Sequence, residues 1–145
     1  DGMQLFDAIN RQHSGLPVWL VGTSRGTQSI AAVATRLSRA DGPDGLVVTA
    51  TILTDPKAPP VTAMTLERLS IPVLVAHHEL DACSHCAFSE MPKLMQKLDG
   101  LPRKQLLSFR DGVCRGDPCE AMAYHGFNGI EREVVGQIAG WVLGR

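Results

Sequence analysis

The stretch that most limits what this chain can become is residues 17–34, PVWLVGTSRGTQSIAAVA. Residues 18–22, mostly apolar and including Trp19, read as a short buried strand, and small and apolar residues follow Gly26 at helical spacing. Between the two lies Gly22-Thr23-Ser24-Arg25-Gly26, a turn with a serine at its apex. A chain that passes from strand to helix in so few residues must bend sharply. The apex residue takes a sparsely populated backbone conformation that lifts its hydroxyl clear of the sheet edge. Gly22 and Gly26 are expected to flank it because a Cβ at either position would collide with the neighbouring strand or helix. The helix that follows points its first N–H groups, and its positive dipole end, at the serine.

The rest of the pattern extends this unit. Met3, Leu5, Phe6 and Ile9 form an apolar stripe on an opening helical segment that Gly15 and Pro17 close. The helix after the turn runs over residues 25–39, with Ile30, Val33, Ala34 and Leu37 facing inward, and residues 41–45, DGPDG, are a loop. Residues 46–53, LVVTATIL, predict a strand covered on both faces. Three prolines break residues 55–60, and residues 64–69 predict a helical turn or two. Residues 72–76 are another short buried strand, running into His77-His78-Glu79-Leu80-Asp81. Residues 89–98 predict a helix capped by Ser89 with Pro92 in its first turn, and residues 104–109 a fourth strand. A polar loop at 110–123 leads to Tyr124-His125-Gly126-Phe127. An amphipathic helix at 128–142 then follows, with Asn128 as its cap and Glu131 placed for a capping box.

Solid apolar strands separated by helices or long crossovers predict an α/β fold, a parallel sheet flanked by helices. In such sheets the active site lies beyond the carboxyl ends of the strands. Ser24, Asp81 and His125 each fall just after a strand or in the loop leaving one, so all three are expected at the same rim.

Residues 1–145 are one domain's worth of chain, and a 44% hydrophobic content is ample for a core. A net charge of −1 gives no electrostatic reason to expect nucleic acid or an anionic membrane as partner. No run of about 18 apolar residues predicts a transmembrane helix. The chain opens Asp1-Gly2-Met3 straight into a helical pattern, with no leader-like segment. Four cysteines fall in two close pairs, Cys83 with Cys86 and Cys114 with Cys119. Paired as disulfides they imply a periplasmic or secreted protein whose leader has been removed; the alternative is that they stay reduced.

Serine on a sharp strand-to-helix turn, an acid after a later strand and a histidine in a loop after the last strand give the chain order Ser, Asp, His. On GTSRG at 22–26, IPVLVAHHELD ending at Asp81 and YHGF around His125, the chain resembles the α/β-hydrolase superfamily over essentially its whole length. The resemblance implies that the strands here are the second half of a hydrolase sheet, from the nucleophile strand onward. About twenty residues between the second strand and Ile71 leave no room for a large lid. The half-sheet that precedes the elbow in that family, and the loop that supplies its second oxyanion donor, are missing. The strand at residues 18–21 would therefore present an unpaired apolar edge. The expectation is the carboxyl-terminal part of a larger hydrolase, or a chain that pairs with a second one.

In this reading Ser24 is the nucleophile, His125 the base that takes its proton, Asp81 the acid that orients His125, and the Arg25 backbone N–H the oxyanion donor. Glu79 and Asp55 are the rival acids. His13 is expected at the surface. His77 and His78 are read as structural, one side chain facing the core and the other the rim. Tyr124 and Phe127 are expected to pack around the histidine loop, and the Arg25 side chain to make a surface salt bridge. The substrate is expected to be a small ester, with no cofactor and no metal.

The segment HHELDACSHC, with His85 between its cysteines, superficially offers a zinc site or a redox pair. Disulfides are the preferred reading. Three connectivities are open, and the local pairs, 83 with 86 and 114 with 119, are favoured over crossed ones because each closes a small loop. Two other function classes stay open: a hydrolase-like domain without activity that serves as a binding or interaction module, and a zinc or redox protein built on the cysteines.

Overall fold

The computed structural model describes residues 2–12 and 15–145, so the expectation for His13 lies outside the described residues. Its elements run α1 (Gly2–Gln12), β1 (Trp19–Thr23), α2 (Arg25–Arg36), β2 (Gly45–Thr49), β3 (Val73–His78), α3 (Met91–Lys97), β4 (Lys104–Phe109) and α4 (Glu131–Val142). Short 3₁₀ turns fill the connections at Val61–Ala63, Leu66–Arg68, Phe88–Glu90 and Tyr124–Gly126. The four strands make one sheet in the order β1-β2-β3-β4, and every pairing is parallel. This is the α/β architecture that the alternation of apolar runs and helices predicts.

The period of two in β2 and β3 divides the core between the faces of the sheet. Leu46, Val48, Val73 and Val75 pack with Ala31 and Ala34 of α2 and with Met91 and Leu94 of α3. Val47 and Leu74 turn the other way, onto Trp141 of α4, while Ala76 joins Phe109, Phe127 and Val134. Both central strands are buried along their whole length, which is why they read as unbroken apolar runs. At the amino end of the sheet Trp19 meets Trp141 edge-to-face at 5.8 Å, and the Arg103 guanidinium lies 3.8 Å above the Trp141 ring. Gly45 is required beneath Trp19, because a Cβ there would run into the indole.

β1 lies at one edge of the sheet, and among the described residues nothing pairs with its outer side. Its Val21 is 60% exposed. A cavity of about 290 Å³ opens beside it, walled by Val21, Thr23, Thr49, Phe127, Val134 and Ile138.

Four local expectations are corrected. The strand expected over 46–53 stops at Thr49, because Ala50 takes a φ of 44° and turns the chain out of the ladder. Residues 51–54 stay close by bonding elsewhere: Leu53 and Thr54 donate to the His85 carbonyl. Ser89 lies inside a 3₁₀ turn and Glu90 occupies the cap position of α3. Asn128 does not cap α4, whose cap position is Ile130; its amide instead donates to the carbonyls of Val113 and Met122 and ties the preceding loop together. Helix α2 ends at Arg36, three residues short of the expectation.

Among the described residues three non-glycine residues have positive φ, Ser24, Ala50 and Phe127, and each follows the carboxyl end of a strand or sits in the loop above that end.

Candidate active site

Ser24 sits between β1 and α2 at φ 51° and ψ −122°, a region that side-chain-bearing residues rarely occupy. Its neighbours hold it there. The Ser24 N–H donates to the Thr49 carbonyl at 3.0 Å, and the Ser24 carbonyl accepts from both the N–H and the hydroxyl of Thr27. Thr27 is fully buried, and its hydroxyl also accepts from the Ile52 N–H at 3.3 Å. A Cβ on Gly22 would lie 2.7 Å from the Gly26 carbonyl oxygen, so that glycine is sterically required. Gly26 differs from expectation. A Cβ there meets nothing within 4 Å, because it is the Gly26 backbone that crowds Gly22. The Ser24 side chain makes no capping bond, and the first N–H groups of α2, Arg25 foremost, have no intrahelical acceptor.

The acid loop leaves β3 at His78. Asp81 is buried; one carboxylate oxygen accepts from the Cys83 N–H at 2.9 Å, and the other lies 2.8 Å from His125 Nδ1. That bond puts a proton on Nδ1 and leaves the Nε2 lone pair free. Nε2 is buried and has no hydrogen-bond partner among the described residues, Ser24 Oγ included. Catalytic hydrogen bonds are often loose before substrate arrives. Gly126 and Phe127, which follow His125, share the walls of the 290 Å³ cavity with Thr23, which precedes Ser24.

The rival carboxylates are engaged elsewhere. Glu79 accepts from Arg110 at 2.5 Å, which holds its carboxyl below the usual range. Asp55 is held well below the usual carboxylate range by the Lys57 N–H, with Arg25 and Gln28 adding to it. The Arg25 guanidinium is thus committed to an ion pair with Asp55, as expected of its side chain.

His77 and His78 are both fully buried, which corrects the expectation that one would face the rim. His77 donates to the Cys86 carbonyl at 2.7 Å and accepts from the Thr51 N–H, and burial pushes its pKa below the ordinary value. His78 stacks on Tyr124 at 4.3 Å and packs near Phe127, so it carries the histidine loop from below. His85 bonds the Thr54 carbonyl at 3.0 Å.

Cys83 and Cys119 form a disulfide, which ties the acid loop to the loop that precedes His125. The favoured local pairs are therefore wrong. The fold brings together cysteines 36 residues apart and leaves Cys86 buried and Cys114 exposed as free thiols. Burial, with Asp81 nearby, pushes the Cys86 thiol up to about 12. Cys83 Sγ, Cys86 Sγ and a ring nitrogen of His125 all lie within 4.8 Å of one another, the group among the described residues with donors close enough for a metal ion.

Sequence reasoning missed Thr27 and Gly126 and ranked the crossed disulfide below the local pairs. A Cβ on Gly126 would run into the Ala121 backbone, so the turn that presents His125 tolerates only glycine. The signal was present in the glycine itself, directly after the candidate base.

No protein-family model matches the sequence, and neither does any curated protein. Among solved structures the chain is similar to the esterase domain of a Rhodothermus marinus protein, with a TM-score of 0.54 and 13% identity over 92% of this chain and 67% of that one. At that identity the likeness is one of fold: the sheet and helices follow a distant, esterase-like α/β arrangement.

Proposed function

We propose that this chain is a serine hydrolase acting on small esters through an acyl-enzyme on Ser24. The observation that carries the reading is the buried Asp81–His125 pair, whose unpartnered Nε2 belongs to the same rim as a serine in a strained apex conformation. A serine hydroxyl is a weak nucleophile at neutral pH without a base. His125 Nε2 takes the Ser24 proton as Oγ attacks the ester carbonyl, and Asp81 stabilises the imidazolium that results. The Arg25 N–H donates to the oxyanion, helped by the dipole of α2. His125 then protonates the departing alcohol, and a water activated by the same nitrogen releases the acid.

The open edge of β1 and the exposed Val21 support a further strand at that edge, from this polypeptide or a second chain, and that partner is where a second oxyanion donor would come from. The Cys83–Cys119 disulfide supports a periplasmic or secreted location. No helix among the described residues is long and apolar enough to cross a membrane.

A fluorophosphonate probe tests the reading. Labelling should fall on Ser24, vanish in Ser24→Ala, and accompany hydrolysis of p-nitrophenyl acetate. Absence of labelling in the folded, complete assembly would leave an inactive hydrolase-like binding domain as the reading.

A further inference from the structure

The cluster of Cys83, Cys86 and His125 has no joint role in the proposed ester chemistry, yet its three donor atoms converge within 4.8 Å and all three residues are buried. Asp81 engages Nδ1 of His125, which leaves Nε2 as the nitrogen with a lone pair to give. Ligands of a tetrahedral Zn²⁺ stand roughly 3.5–4 Å apart, given Zn–S near 2.3 Å and Zn–N near 2.0 Å, so the two sulfurs and the nearer His125 ring nitrogen need only a small contraction, and bringing Nε2 to the metal is a matter of how the imidazole ring is turned. In the oxidised chain Cys83 cannot serve, because its sulfur is bonded to Cys119. Once that bond opens, Cys119 becomes a fourth thiol that starts beside Cys83 and reaches the metal from there. The set then reads C-x-x-C at Cys83 and Cys86, followed by Cys119 and, six residues on, His125. Close pairs of this kind are how structural zinc sites are spaced.

We propose that reduction of the Cys83–Cys119 disulfide converts this corner into a zinc site of three thiolates and one imidazole, in which His125 is taken away from Ser24. The metal site stands on the donor geometry; its effect on turnover rests on the hydrolase reading above.

The chemistry balances with a dithiol as reductant. Cys119 lies in an exposed segment, so a reductant thiolate can attack its sulfur, and closure of the reductant's own disulfide leaves Cys83 and Cys119 as thiols. Zn²⁺ then displaces three protons, one from each cysteine, and accepts the Nε2 lone pair. His125 loses no proton: Nδ1–H stays on Asp81, the carboxylate–imidazole–metal arrangement that fixes a ligating histidine. A disulfide-bearing oxidant reverses the step: it takes two electrons as its own S–S bond opens to two thiols, Cys83–Cys119 closes again, Cys86 regains its proton, and the metal leaves and returns Nε2 to the rim. Every chain is made with its cysteines reduced, so zinc would keep the new chain latent until its disulfide closes.

The test is an anaerobic titration of the full chain with Co²⁺, a spectroscopic stand-in for Zn²⁺, before and after reduction by a dithiol that is then removed. The reduced chain should take one equivalent and show thiolate-to-cobalt absorption, and the oxidised chain should show none. Cys86→Ser should lose part of that absorption and bind more weakly. Asp81→Asn should weaken binding about 10–100-fold through the orientation of His125. Cys114→Ser and Ser24→Ala should bind as the parent does. A reduced, folded chain that binds no more cobalt than the oxidised one overturns the proposal, as does a Cys86→Ser variant with parental affinity. Should the metal-free reduced chain unfold, recovery of its native circular dichroism on adding Zn²⁺ supports the site, and failure to recover refutes it. Cobalt binding without fluorophosphonate labelling of the oxidised chain would sink the hydrolase reading and leave the metal site standing.

Discussion

Asp81 Oδ2 accepts the His125 Nδ1 hydrogen at 2.8 Å, joining two loops that stand 44 residues apart in the chain. The other Asp81 oxygen is held by the Cys83 N–H, and Cys83 is covalently tied to the histidine loop through Cys119. Carboxylate, imidazole and disulfide thus form one closed circuit at the rim.

Asp81→Asn keeps the shape of the pair and loses the charge that fixes the imidazole tautomer. Turnover of p-nitrophenyl acetate should fall by about 10³–10⁴-fold, with the far-ultraviolet circular dichroism unchanged. Glu79→Gln, whose partner is Arg110, should stay within a few-fold of the parent in the same assay.

Gly126→Ala forces a Cβ into the Ala121 backbone and should cost about 2–3 kcal/mol in urea unfolding. Gly26→Ala meets open space on a helical residue and should be neutral or stabilising by up to about 0.5–1 kcal/mol. Equal losses at the two glycines would contradict the packing described for them.

Reduction of the disulfide, or Cys119→Ser, releases a loop of 36 residues' separation. The loss in unfolding free energy should be about 3–4 kcal/mol, measured with a chelator present so that no metal compensates.

The depressed pKa of Asp55 gives an acid dependence of known sign. Its contribution to stability is fully present above the ordinary value of 3.8 and is lost as pH falls through the lower folded-state value. Asp55→Asn should therefore flatten the fall in melting temperature below about pH 4 and leave the curve above it parallel to that of the parent.

The elbow and the sheet were legible because both are local: a strand, a glycine-bounded bend and a helix announce themselves by period, and buried parallel strands by their unbroken apolar runs. Asp81 stood out from Glu79 and Asp55 by its place after the third strand, and it is the carboxylate that meets His125. The disulfide was not legible. Loop-closure arithmetic favours near neighbours, whereas the fold carries Cys119 back across the rim to Cys83 and strands Cys86 in the interior. The true end of β2 was hidden too, since Thr51, Ile52 and Leu53 stay apolar or buried after Ala50 has turned the chain out of register. Asn128 had the right chemistry for a cap and found better acceptors in two loop carbonyls.

Ser24, Ala50 and Phe127, the described non-glycine residues with left-handed backbone, all belong to one end of the molecule. The opposite end, from Gly45 under Trp19 to Trp141, has no described non-glycine residue with positive φ. On the hydrolase proposal, a laboratory lineage selected for heat tolerance alone would accordingly drift toward unbending the top of the sheet, and its survivors would be sturdier and chemically idle. Resistance gained from changes around the two tryptophans would come without that penalty.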